Sequence, residues 1–135
     1  MLEKQLYQAI DRLVPKTIYR QSMTGAAMTA NGIPDRYYDG PGGDLWVEFK
    51  QLQSMPRGIV RGAYTELQLR WMSRRWANSA PRHNVIGVIG LPNRTCIVQR
   101  TPESWRDGTP AAEAVFIKEV AEWITTFCGG SCDRP

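Results

Sequence analysis

Apolar residues recur at Leu2, Leu6, Ile10 and Leu13, and Tyr7 and Val14 widen the same face. That period predicts a helix from Leu2 to Leu13, ended by Pro15. Thr17 to Met23 is short and β-prone, Gly25 to Asn31 reads as a small, polar, mobile loop, and Ile33 to Tyr38 reads as a strand. Asp39-Gly40-Pro41-Gly42-Gly43 is the strongest turn signal in the chain. It predicts a hairpin between that strand and the next, Asp44 to Gln51. Leu52 to Ala63 has no period and contains Pro56, Gly58 and Gly62, so a loop is expected. A second helix follows from about Thr65 to Asn78, with Thr65, Leu69, Met72 and Trp76 as its core stripe.

Val85 to Gly90 is an unbroken apolar run, the pattern of a strand covered on both faces. Pro92-Asn93 turns the chain into a further strand at Thr95 to Val98. Thr101 and Pro102 suit the cap and first position of a short helical turn around Trp105. A last helix is expected from Pro110 to Phe127, burying Phe116, Val120, Trp123 and Phe127. The order predicts an α/β fold, a sheet with helices packed on its faces. A length of 135 residues supports one core, so one domain over 1–128 and a flexible tail over 129–135 are expected.

Composition narrows the partners. No apolar run nears the roughly 18 residues of a membrane span. The N-terminus carries Glu3 and no apolar signal-peptide core, so a cytoplasmic location is expected. Of the net charge of +4, the stretch Gln51 to His83 carries +5, with six arginines against Glu66 alone, and the remainder sums to −1. A basic third on a near-neutral remainder is the footprint of a polyanion binder. Three cysteines make no disulfide framework: Cys96 fits a core strand, while Cys128 and Cys132 lack the further ligands zinc needs. The sole histidine, His83, reads as a polar residue before a strand.

The chemistry concentrates in Gly32-Ile33-Pro34-Asp35 and Trp46-Val47-Glu48-Phe49-Lys50. Strand parity sends Leu45, Val47 and Phe49 into the core, and Trp46, Glu48 and Lys50 to the other face. The hairpin returns Glu48 towards Asp35, thirteen residues earlier. Two adjacent carboxylates repel unless a cation lies between them. Hard oxygen ligands completed by water describe Mg²⁺, with Mn²⁺ as a substitute. Lys50 would orient an attacking water or neutralise developing charge. On the second helix, Gln68, Trp71 and Arg75 share a face adjoining the core stripe, from which Gln68 can reach the carboxylates while Trp71 and Arg75 meet a nucleic-acid backbone. Arg57 and Arg61 sit in the preceding loop as further backbone contacts.

These segments, with Thr65-Glu66-Leu67-Gln68-Leu69-Arg70-Trp71, resemble the PD-(D/E)XK nuclease superfamily over about residues 1 to 90, and most closely its VRR-NUC branch. The resemblance implies a restriction-endonuclease-like αβββαβ core with a mixed central sheet, here extended by a C-terminal strand and helix. It also implies metal-dependent phosphodiester hydrolysis, with Asp35, Glu48 and Lys50 as catalytic residues, Gln68 in support, and Asp35, Glu48 and Phe49 at the metal. For the acid that the family often places on the first helix, Glu3 is the best match and Asp11 the rival. The expected activity is a Mg²⁺-dependent DNA endonuclease, with branched DNA such as a Holliday junction among its substrates. A homing or restriction-type enzyme, and a DNA-binding module without chemistry, remain as alternatives. Cutting two strands with one site per chain would require a homodimer. The compact length resembles phage-encoded nucleases.

Overall fold

The computed structural model describes residues 1–25 and 31–130. Its order is α1 (Glu3–Asp11), β1 (Tyr19–Ser22), β2 (Arg36–Gly40), β3 (Gly43–Gln51), β4 (Ile59–Val60), α2 (Glu66–Asn78), β5 (Val85–Gly90), β6 (Thr95–Gln99), α3 (Pro102–Asp107), β7 (Thr109–Pro110), a 3-10 turn (Ala111–Glu113), β8 (Val115–Phe116) and α4 (Ile117–Gly129). Six strands form one mixed sheet in the order β1-β2-β3-β5-β6-β8, and β4 pairs with β7 beside it. The β3–β5 pair is parallel and every other pair is antiparallel. Parallel neighbours need a crossover, and α2 supplies it. No helix among the described residues is long and apolar enough to cross a membrane.

The sheet is filled from both sides. Leu45, Val47 and Phe49 of β3 and Ile86 and Val88 of β5 pack against Leu6 and Ile10 of α1 and Val120, Ala121 and Ile124 of α4. On the opposite face, Met72 of α2 and Trp105 of α3 cover Val85, with Trp46, Leu69 and Trp76 around them. All six residues of β5 are buried, as its unbroken apolar run predicts. Cys96 and Cys128 are both buried.

The β2–β3 hairpin turns at Pro41-Gly42, between the register partners Gly40 and Gly43. Gly42 lies so close to the end of α4 that a side chain there would collide with the main chain of Gly130. The Gly42 N–H donates to the Cys128 carbonyl at 2.8 Å, and Arg82 donates to the carbonyls of Gly42 and Phe127. The distal end of β3 is thereby fastened to α4.

Several boundaries differ from the expectation. The first helix stops at Asp11 because the Arg20 guanidinium takes up the carbonyls of Asp11, Val14, Pro15 and Ile18. Leu13, beyond that end, stays exposed, as does Leu2 at the N-cap. The loop of residues 52 to 63 contains β4, and Pro110 pairs with Ile59 instead of starting a helix. Val115 and Phe116 pair with β6, so the last helix starts at Ile117 and Phe116 is 65% exposed. Its stripe has helical spacing, but edge pairing already satisfies that backbone. The helix runs through Gly129 into a left-handed Gly130, one residue past the expected start of the tail. The rest of that tail with Cys132, and most of the expected mobile loop between Gly25 and Asn31, lie outside the described residues.

Truncating Ile86→Ala is expected to cost about 2–5 kcal/mol, whereas Phe116→Thr should stay within about 0.5 kcal/mol. Urea unfolding of the two variants checks the assignment of core and edge.

Candidate active site

Asp35 comes one residue before β2, not inside the strand predicted to start at Ile33. Gly32 has φ +75°, and a Cβ there would collide with the Leu67 carbonyl at the start of α2. The segment bearing Asp35 is thus laid directly on the first turn of that helix. The Asp35 main-chain N–H donates to Glu48 Oε1 at 3.2 Å. The Phe49 N–H donates to Asp35 Oδ2 at 3.1 Å. The two acids therefore meet, as the thirteen-residue spacing predicts.

Glu48 projects from β3 to the side opposite Leu45, Val47 and Phe49, and it is only 1% exposed. Its Oε2 accepts from Gln68 Nε2 at 2.8 Å and lies 3.3 Å from Lys50 Nζ. Lys50 Nζ donates in turn to Gln68 Oε1 at 3.0 Å. Gln68 is held by a reciprocal cap: its N–H donates to Thr65 Oγ1 at 3.1 Å, and its Oε1 accepts from the Thr65 N–H at 2.9 Å. One amide side chain thus closes the helix N-terminus and bridges the acid and the ammonium.

Electrostatics set the poise of the pair. Burial pushes the Glu48 carboxyl from 4.5 up to about 8, and the Asp35 charge adds to this while Lys50 opposes it. Burial likewise raises Asp35, against the Phe49 N–H and the Lys50 charge. Glu3 is raised by burial and then by Asp35, with Lys50 and the Gln51 main chain pulling the other way, so its carboxyl feels the site. Asp11 does not compete for that role: it pairs with Arg36 and accepts from the Tyr38 hydroxyl. Among the described residues no group of three or more His, Cys, Asp or Glu side chains gathers as a metal cluster. Two carboxylates suit Mg²⁺ nonetheless, because that ion keeps several waters and takes few protein ligands. Phe49 has only its main-chain carbonyl to offer as a ligand.

Sequence reading missed Tyr64. Its hydroxyl donates to Gln99 Oε1 at 2.6 Å, and Lys50 Nζ lies 5.8 Å from its ring centroid. Burial and then the Glu48 charge raise its pKa. Gly87, the register partner of Glu48, leaves room for it, since a Cβ there would collide with the hydroxyl. Gln99, 1% exposed, also donates to Thr109 Oγ1 at 3.0 Å, tying this floor to β7. The glycine inside the apolar run of β5 was the available signal.

The remaining predicted residues divide. Trp71 meets Trp46 edge-on at 5.0 Å, and the Arg75 guanidinium lies 5.6 Å from the Trp71 ring and 5.9 Å from the Trp46 ring. Both therefore pack against Trp46 of β3, on the α2 side of the sheet. Arg57 and Arg61 are exposed on the loop after β3.

No family model matches the chain, and no curated protein matches it in sequence. Among solved structures, Hjc, a Holliday junction resolvase from the archaeal hyperthermophile Archaeoglobus fulgidus, aligns at 16% identity with a TM-score of 0.54. The alignment covers 90% of this chain and 97% of that one. This chain has the resolvase's fold. The restriction-endonuclease-like arrangement implied by the motifs, a mixed sheet between helices, is the arrangement found.

The folded, metal-free protein holds a proton on Glu48 that the unfolded chain releases near 4.5. This stabilisation is complete below 4.5 and is lost as pH rises to about 8. Thermal melts in EDTA should therefore fall across that window, and Glu48→Gln should flatten the fall. An unchanged slope would reject the assignment.

Proposed function

We propose that the protein is a divalent-metal-dependent DNA endonuclease of the PD-(D/E)XK type that cuts branched DNA in the cytoplasm. The convergence of Asp35, Glu48, Lys50 and Gln68 on one face of the sheet carries this reading. The fold shared with a protein described as a Holliday junction resolvase supports the branched substrate. The capping glutamine that follows the acid-x-lysine strand supports the VRR-NUC branch.

Asp35, Glu48 and the Phe49 carbonyl would hold Mg²⁺, or Mn²⁺ in its place. When bound, the cation would polarise the phosphate and lower the pKa of a coordinated water. Asp35 commits Oδ2 to the Phe49 N–H, and its carboxyl also hydrogen-bonds that of Glu48, a contact that a bound cation would replace. Lys50 spends two N–H groups on Glu48 and Gln68, and the third remains to orient the attacking water or to meet negative charge on the phosphorane. Gln68 fixes the direction of both neighbours. Glu3 adds negative charge at the rim, where it favours a cation. Arg57 and Arg61 grip the DNA backbone, and Trp71 with Arg75 borders its path. Each chain supplies one such site, so paired incisions across a junction call for a homodimer.

The test is a cleavage panel of four-way junction, flap, duplex and single-stranded DNA with Mg²⁺, Mn²⁺ or EDTA. Junction cleavage should need the metal and vanish in Glu48→Ala. Lys50→Ala should lose on the order of 10²–10³-fold in rate, while junction binding in EDTA stays close to wild type. Normal cutting by either variant, or no cutting by the wild type with any metal, would refute the reading.

A further inference from the structure

The charged residues of α1 and its C-terminal cap have separate fates. Glu3 takes a hydrogen bond from the Gln51 main chain at the rim of the catalytic pocket, and Asp11 is bound to Arg36 and Tyr38. Both acids are thereby engaged. Lys4 and Arg12 are exposed and make no ion pair among the described residues. Beside this helix a hollow of about 390 Å³ opens between Gln5, Gln8, Arg12 and Arg94. No carboxylate lines it.

Arg94 reaches the hollow from the turn between β5 and β6. The Arg94 N–H donates to the Leu91 carbonyl at 3.0 Å, and the Leu91 N–H donates to the Thr95 carbonyl at 2.8 Å. Within that tight turn Arg94 has φ +68°, a conformation uncommon outside glycine. The turn starts directly after Gly90, the register partner of Gln51. Arg94 therefore emerges at the end of the sheet that carries Lys50 and the anchor of Glu3. Met1 lines the same hollow, and its carbonyl accepts from Gln53 Nε2 at 3.1 Å, just beyond that end of β3. Arg12 and Arg94 come from the stretches that charge counting reads as near neutral, so only folding brings them together.

We propose that this hollow is a second track for the DNA backbone, in which Arg12 and Arg94 meet phosphate oxygens and the Gln8 amide donates to a further one. Taking DNA as the occupant rests on the nuclease reading. Guanidinium groups fork onto phosphate, and with no acid beside them here their charge stays available. Glu3 to Arg12 spans about 14 Å of helix rise, along which one strand of a duplex carries about four phosphates. Because α1 lies on the opposite face of the sheet from α2, backbone contacts then extend over both helical layers, across the sheet end where the catalytic residues lie.

Fluorescence anisotropy of a labelled four-way junction tests the track. It is read in EDTA between about 50 and 200 mM salt, so that it reports binding whether or not the protein cleaves. Arg12→Gln and Arg94→Asn, the latter a residue that accepts the left-handed turn, should each weaken affinity about eightfold at 0.1 M salt. Each should also flatten the slope of log K against log salt by about 0.9. A control that removes two exposed charges elsewhere, Arg106→Gln with Lys118→Gln on α3 and α4, should change neither. The proposal is overturned if the two track substitutions together keep the wild-type slope, or if the control flattens it as much. It is also overturned if polyglutamate displaces the junction at lower charge concentration than unlabelled duplex DNA does. A wild type that binds through the track yet cuts with no metal ion sinks the nuclease reading and leaves the track standing. Metal-dependent cutting with track variants that bind normally does the reverse.

Discussion

Two carboxyl groups forced into one buried pocket govern how this molecule is put together. Left alone, Asp35 and Glu48 repel each other and lose hydration, and the fold resists this with directed contacts instead of distance. The Phe49 and Asp35 N–H groups each turn towards the opposite acid, and Gln68 and Lys50 cross-link behind Glu48. Such an arrangement survives only on a stiff support. The support is β3, whose alternate residues are sealed into the core and whose far end is fastened to α4. A divalent cation would relieve the remaining repulsion, which couples ion uptake to the release of protons from the pair.

The part of this plan legible in the sequence is the part carried by local period. Alternation along Asp44 to Gln51 placed Glu48 and Lys50 on one face, and helical spacing placed Gln68 beside Trp71 and Arg75. The contact of Asp35 with Glu48 followed from the turn residues between them. What period does not encode is long-range packing. Tyr64 touches the site because two glycines, Gly62 and Gly87, clear space for its ring, and Gln99 arrives from one residue beyond the strand predicted at Thr95 to Val98. The C-terminal stripe misled for the same reason: Phe116 has helical spacing, yet β6 offered its backbone an edge to pair with.

The likeness to the archaeal resolvase, at 16% identity, fits this division. A sheet of given order needs apolar alternation, a crossover helix and a tight hairpin, and many side-chain sets satisfy those demands. The basic residues follow another logic. Arg70 meets Glu66 at 3.6 Å with both side chains exposed, a pair of little energetic weight. Arg75 spends its charge over two indoles, while Arg57 and Arg61 keep theirs facing solvent. Charge counting could not separate these roles, because they depend on which rings lie underneath.

Gly32 carries a consequence beyond its own turn. Because nothing larger than hydrogen fits between it and the Leu67 carbonyl, the stretch bearing Asp35 cannot drift from the helix bearing Gln68. Acid and amide are set on one chassis, and the gap between them is gauged by a missing methyl group. Any side chain at that position would have to wedge the two elements apart, so the spacing of the catalytic groups hangs on a residue that has none.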